Sequence, residues 1–351
     1  MTEILPFLKD LISAPGLSGY EDPAARIIEE KWRPFVHEIS RGKLGSLHGL
    51  RHGTGKEPRP SVMVATHMDA IGLMVTGITD GFLHITEVGG VDDRVLPGQP
   101  VTVWGRQALP GVVVQPPAHL LPEKIGKNPV PREHLLVDTG LLPRKVSELV
   151  RVGDLVSFAQ PPLELAGGTL AGHSLDNRAS VAALTVCLEE LRSRPHAWDV
   201  WAVATSQEET GLMGAIGSSF ELHPAIAIAV DVTWAKGPGD SDWRTFPLGK
   251  GPTITMGPNF HPALYKAMKD LADKLEIPYA PEYTPSQSGT DAIALQVSAE
   301  GIPTMLVEVP LRYMHTPVEL VAIKDIQRLG RLLAEFIASL EADFMEKVVW
   351  E

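Results

Sequence analysis

The sequence predicts an α/β protein: a mostly parallel central sheet with flanking helices, interrupted by an inserted small β domain. Three observations predict it. Short, almost wholly apolar runs, SVMVAT, VWAVAT, AIAIAV and TMLVEV, read as strands buried on both faces of a sheet. Segments of helical period alternate with them, which is the pattern of helices packed on a largely parallel sheet. From about 71 to 163 the alternation stops, and short β-rich runs follow one another with Gly, Pro and Asp between them, the texture of a small barrel or sandwich.

The elements follow in order. FLKDLIS is helical and ends at the turn-forming APGLSGYED; PAARIIEEKW is a second helix with Pro23 near its start. SVMVAT at 61–66 is the first buried strand. IGLMVTGIT, FLHITEV, QPVTVW, GVVVQ, HLLVD and DLVSF make up the β insert, assigned to 71–163, so that the α/β domain comprises 1–70 and 164–351. Pro110, Pro116, Pro117, Pro122, Pro129 and Pro131 predict loop between 110 and 131. Beyond 164 come the helix NRASVAALTVCLEELRSR, the strand DVWAVATS, the short helix GLMGAIGSSF and the strand AIAIAVDV. A helix near 261–276, the strand IPTMLVEV and the closing helix IKDIQRLGRLLAEFIASLEADF complete the chain.

Composition removes several function classes. The 351 residues are 44% hydrophobic and 21% charged, an ordinary globular profile with length for roughly two domains of about 150 residues. A formal net charge of −12 argues against binding nucleic acid or an anionic membrane, since both need a basic face. No apolar run approaches the ~18 residues of a membrane span, and MTEILPFLKD has no signal-peptide character. The single cysteine, Cys187, cannot form an internal disulfide. A reducing, cytoplasmic setting is expected, with Cys187 an inert core residue rather than a nucleophile.

Sites in such sheets form where strands end at the carboxyl edge. His67 and Asp69 follow SVMVAT, Glu208 and Glu209 follow VWAVATS, Asp231 follows AIAIAV, His315 follows TMLVEV by a few residues, and Asp176 opens a helix. Singly, each has an ordinary explanation: an N-cap aspartate, a solvated histidine, an acidic pair at a turn. Jointly they sit at element ends that one fold can gather, and buried acids need partners that divalent metals supply. Two histidines with several carboxylates suit zinc, cobalt or manganese better than a purely oxygen-bound magnesium or calcium. The spacing His67-x-Asp69 fits a ligand whose ring is oriented by the carboxylate two residues on.

APGLSGYE, THMDAIGLMV, GVVVQPPAHLL, VRVGDLVSF, SLDNR, SQEETGLMGA, AVDVT, SGTDA and RYMHTPVE occur in that order along nearly the whole chain. Together they resemble the tetrahedral aminopeptidases, co-catalytic metallopeptidases of the glutamyl, leucyl and deblocking types. The resemblance implies a metallopeptidase-like α/β fold with a barrel-like dimerisation insert, and a cytoplasmic homo-oligomer, a tetrahedral dodecamer built from dimers. It implies two divalent metal ions: Asp176 bridging, His67 and Asp231 completing one site, Glu209 and His315 the other. Glu208 would be the general base for a two-metal-activated water, and Asp69 the supporting catalytic carboxylate. Peptides would lose their N-terminal residues. One departure is Asn177, where the family commonly has a second aspartate; His173 is a loop histidine outside the ligand positions. Substrate-binding residues are not assigned. Two rival activities share these residues: a deacylase or deblocking enzyme acting on N-acylated substrates, and an endoglucanase-type glycoside hydrolase. Adjacent glutamates do not easily flank a sugar at ~5–9.5 Å, and 6% aromatic residues offer little stacking surface.

Overall fold

A computed structural model describes residues 3–125, 128–240 and 242–350. Two helices open the chain, α1 (Leu5–Ser13) and α2 (Asp22–Trp32), each with proline in its first turn, where the missing N–H costs no helical hydrogen bond. The strands β1 (Glu38–Arg41), β2 (Leu47–Arg51) and β3 (Ser61–His67) follow. Six strands then close a barrel: β4 (Gly72–Thr79), β5 (Phe82–Val88), β6 (Pro100–Trp104), β7 (Ala108–Val114), β8 (Leu136–Asp138) and β9 (Leu155–Phe158), with α3 (Pro143–Leu149) leading into the last. Their order around the barrel is β4-β5-β8-β7-β6-β9. Each of the six β-rich runs in the sequence contributes one of these strands.

The chain returns through β10 (Leu163–Leu165), β11 (Thr169–Gly172), α4 (Leu175–Glu190), β12 (Asp199–Thr205), α5 (Met213–Leu222) and β13 (Ile226–Trp234). It ends with β14 (Thr253–Met256), α6 (Pro262–Lys274), β15 (Ala280–Tyr283), α7 (Asp291–Gln296), β16 (Thr304–Arg312), β17 (Glu319–Ala322) and α8 (Ile323–Ala338). Among the described residues the main sheet has eleven strands in the order β1-β2-β12-β3-β13-β16-β17-β11-β10, with β14 and β15 branching from β16. The four central strands β12, β3, β13 and β16 are parallel, as their apolar runs predict. The outer pairings along this path are antiparallel, and β14 runs antiparallel to β16 but parallel to β15, which makes the whole sheet mixed.

Three apolar clusters hold this arrangement. One side of the sheet is covered by α1, α2, α4, α6 and α8, the other by α5 and α7, and the barrel has its own interior around Leu73, Val101, Val137 and Val156. Cys187 is fully buried in the first of these, and burial pushes its thiol upward, which fits an inert core residue.

The proline-rich stretch needs one correction. Pro110 lies inside β7, opposite Thr102 of β6. The neighbour on the other side, β8, begins pairing only at Val112, so a proline without an N–H is tolerated there. Beyond Val114 the described part of the stretch is loop and single 3₁₀ turns; residues 126 and 127 lie outside the described residues.

The position of the site follows from register. β3 stays paired to β12 through Thr205 and His67, but to β13 only through Ala65 and Ala229. Beyond that point β3 and β13 part at their carboxyl ends, opening a crevice of the kind that holds sites in α/β sheets.

Candidate metal centre

His67 is the last residue of β3, and Asp69 follows it with its side chain wholly buried. The Asp69 carboxylate accepts from two successive backbone amides, Glu208 N and Glu209 N, both at 3.1 Å, and its Oδ1 lies 3.3 Å from His67 Nδ1. One carboxylate thus fixes the turn that carries both glutamates and lies beside the histidine ring. Asp176 precedes the regular part of α4: its own dihedrals and those of Asn177 are non-helical, and the peptide between them is cis. No described N–H of the helix donates to its carboxylate, so it does not act as an N-cap. Its Oδ1 lies 3.1 Å from His67 Nε2 and its Oδ2 3.5 Å from His315 Nε2.

The remaining acids converge on the same two histidines. Asp231 Oδ1 is 3.7 Å and Glu208 Oε2 3.8 Å from His67 Nε2, while Glu209 Oε2 is 3.6 Å from His315 Nε2. Two sets of donors, His67 with Asp176 and Glu209, and His67 with Glu208 and Asp231, each lie within 4.8 Å of one another. All seven residues singled out in the sequence are thus in one place. Six of them, all but the buried Asp69, line a cavity of about 380 Å³ whose walls also include Leu212, Val232, Gly289 and Met314.

Asp231 differs from its expected setting. It is internal to β13, which runs on to Trp234, and is exposed to the crevice because β3 has already turned away. His315, too, follows a longer strand than the apolar run suggested, and sits in a turn with φ +61°. Ser174, Gln207, Leu212 and Tyr313 around the site share the left-handed conformation, which is costly for residues with a side chain and collects at functional sites. The barrel reaches the site as well: a Cβ added to Gly90, just past β5, would stand 3.1 Å from His315 Nδ1.

Sequence reasoning missed two buried acids. Glu319 in β17 accepts from the backbone N–H groups of Asp176 and His315, both at 3.0 Å, and so ties together the two segments that carry them. Asp291 accepts from Thr205 Oγ1 at 2.5 Å at the end of β12. Each stood inside a recognised motif, RYMHTPVE and SGTDA, but offered no strand-end signal of its own. His173 is in a bend, as expected of a loop histidine; it is buried, and burial pushes it down to about 3.

The electrostatics state what the cluster lacks. Glu208 is pushed up to about 10 by burial and by the charges of Asp231, Asp291 and Glu209, with His67 opposing. Glu209 is pushed up to about 8 by burial and by Asp176, and Asp231 is raised by burial. Burial alone would lower His67, but the Glu208 charge and hydrogen bonding to Asp176, Asp231 and Asp69 carry it well above its usual value. Buried carboxylates that repel one another call for positive charge. Imidazole nitrogens interleaved with carboxylate oxygens are the donor set of a transition-series divalent ion, so the residues present fit a metal.

A model of the M42 glutamyl aminopeptidase family matches residues 45–332. The chain is similar to the lysyl aminopeptidase of Pyrococcus furiosus, 35% identical over 95% of this chain and 96% of that protein. Among solved structures, an aminopeptidase of the archaeon Desulfurococcus kamchatkensis superposes with a TM-score of 0.92 at 30% identity, covering 99% of this chain and 98% of the other. The Pyrococcus horikoshii TET1 peptidase, described as assembling into a tetrahedron or a large octahedral shell, superposes with a TM-score of 0.84 at 30% identity, covering 96% and 100%. On a match across most of its length, and with the crevice built as that fold requires, the chain belongs to the M42 glutamyl aminopeptidase family and is a peptidase that releases N-terminal residues.

Proposed function

We propose that this aminopeptidase works with two divalent metal ions, of zinc, cobalt or manganese, and that Asp176 bridges them. His67 and Asp231 hold one, Glu209 and His315 the other. The observation that carries this reading is the division of the Asp176 carboxylate, one oxygen toward each histidine, at 3.1 and 3.5 Å. When bound, such a pair polarises the scissile carbonyl and makes water more acidic.

The chain's own residues do the rest. Glu208 sits on the cavity wall, takes the proton of the attacking water and hands it to the leaving amine. Adjacent residues on an extended segment point in different directions, which lets Glu208 act on water while Glu209 binds metal. Asp69 holds His67 and the backbone of both glutamates in register. Leu212 and Met314 give the cavity an apolar flank.

Residues 1–70 and 164–351 form the catalytic domain, and 71–163 form a dimerisation domain. Dimers build a tetrahedral dodecamer in the cytoplasm, a hollow particle that admits peptides and excludes folded proteins. The assembly described for the Pyrococcus horikoshii peptidase supports this. No described helix is long and apolar enough to cross a membrane. The convergence of the acids on two histidines favours peptide over glycoside hydrolysis, and nothing in the site favours an acylated substrate.

Mass spectrometry of a peptide of about ten residues tests the activity. With a free N-terminus it yields a ladder of products, each one residue shorter; acetylated, it resists, because the reacting carbonyl is no longer anchored through a free amine. Internal cuts as first products would refute the assignment, and equal cleavage of the acetylated peptide would establish the deblocking activity.

A further inference from the structure

The segment APGLSGYE, residues 14–21, joins α1 to α2 and lines no part of the metal cavity. It is nevertheless built into the site. Leu17 bridges Ala70 in parallel, with Ala70 N donating to Gly16 O at 3.0 Å and Ser18 N to Ala70 O at 3.2 Å. The wholly buried Arg178 donates to the carbonyl of Ala14 at 2.7 Å and to that of Met68 at 3.1 Å. The segment is thereby tied to the residue that stands between His67 and Asp69. From this anchorage it reaches the turn after β12. Glu21 Oε1 accepts from Gln207 N at 3.0 Å and from Gly19 N at 2.6 Å, and Ser18 Oγ lies 2.7 Å from Thr210 Oγ1. Asp69 holds Glu208 N and Glu209 N. Residues 207, 208, 209 and 210 are thus each held by a side chain from a distant segment.

Glu21 is only 6% exposed and stands at the N-cap position of α2, yet its side chain makes no capping bond there. A side chain serving its own helix accepts from that helix's first amides. This one accepts instead from a residue 186 positions away. Its partner, Gln207, has φ +55°. A residue other than glycine stays in the left-handed region only where its surroundings over-determine it, and the bond from Glu21 is part of that determination. Gln207 immediately precedes Glu208, so its dihedrals set the direction in which the Glu208 side chain leaves the backbone.

We infer that Glu21 is a positioning residue for the reaction: it holds Gln207 in its left-handed turn and so aims Glu208 at the attacking water. Ser18 braces the other end of the same turn through Thr210. The inference rests on the reading of Glu208 as general base. Proton transfer needs the base within hydrogen-bond reach of the water, and a displacement of about 1 Å costs on the order of 10²-fold in rate. Neither Glu21 nor Gln207 lines the cavity, so loss of the contact falls on turnover and leaves substrate binding alone.

The test separates reach from charge. Glu21→Gln keeps the length and the accepting oxygen and loses the charge. Glu21→Asp keeps the charge but is one methylene short of Gln207 N, and aspartate is a favoured N-cap, so α2 keeps its start. Each substitution is placed in the wild-type chain and in the Glu208→Gln variant. The metal-loaded proteins are compared for kcat, KM and metal content with one aminoacyl anilide, and for folding by circular dichroism. Glu21→Asp is expected to lower kcat by about 10–100-fold at unchanged KM and metal content, while Glu21→Gln stays within about threefold of wild type. In the Glu208→Gln background Glu21→Asp costs less than about twofold more, because residues that act through one group are not additive. An aspartate variant at the wild-type rate, or a glutamine variant as slow as the aspartate one, overturns the assignment. So does a loss carried by KM, a loss of metal, or failure of both variants to fold. The two readings fail separately. A slow Glu208→Gln variant that Glu21→Asp slows by its full factor again removes the positioning role and leaves the base. A Glu208→Gln variant near the wild-type rate removes the base, and with it the route through which Glu21 acts.

Discussion

Replacing Glu208 with glutamine lowers turnover on the order of 10²–10⁴-fold, the usual contribution of a general base, while metal content stays at the wild-type level. The reasoning is steric and electrostatic together. The amide keeps the shape of the carboxylate on the cavity wall, and the backbone N–H of residue 208 still reaches Asp69 Oδ1. It cannot accept the proton of the attacking water. Relieving a buried carboxyl that Asp231, Asp291 and Glu209 all oppose does not weaken the fold. Elemental analysis and steady-state rates on one substrate measure the two quantities side by side. Near-wild-type turnover removes Glu208 from the base role, and loss of metal makes it a ligand instead.

Asp176→Ala is expected to be more damaging than the loss of any single terminal ligand. Its two oxygens face the two histidines, so one substitution removes contacts on both sides and the group that sets their separation. Metal affinity falls by more than the roughly 10–100-fold that follows loss of a supporting residue, and activity falls below that of His315→Ala. The variant still folds, because α4 is held by apolar contacts along its buried length and Asp176 lies ahead of its regular turns. Equilibrium dialysis against the metal, with circular dichroism to establish folding, decides the point. A folded variant that binds two ions per chain with wild-type affinity refutes the bridging role.

Much of this site was legible because four of its members follow apolar strands. His67, Asp69, Glu208 and Glu209 stand where hydrophobic runs stop, and the stop is visible in the letters. Asp231 was found for a partly wrong reason: it lies within its strand and is accessible only because β3 leaves β13 at Ala65, a tertiary event with no local signature. Glu319 accepts from the backbone N–H of the distant Asp176 as well as the nearby His315, and Asp291 from the distant Thr205 hydroxyl, and a lone acid in a polar stretch does not announce such partners.

The same contrast runs through the fold. Four of the barrel strands, β5, β6, β7 and β8, alternate between buried and more open residues, and all six were readable as β-rich runs. β2, LHGLR, is almost entirely buried, yet it contains His48, whose ring is satisfied by Ser218 Oγ at 2.9 Å, and an arginine at its end. β14 and β15 are four residues each and rich in threonine, proline and glutamate, so nothing in their period marks them as sheet.

The central claim is that two ions are held on either side of Asp176, and anomalous diffraction from crystals grown with zinc or cobalt tests it most directly. The account predicts two peaks per chain, one ligated by His67 and Asp231 and the other by Glu209 and His315, with Asp176 ligating both. A single peak, or two peaks that leave Asp176 in contact with one ion or none, would contradict it.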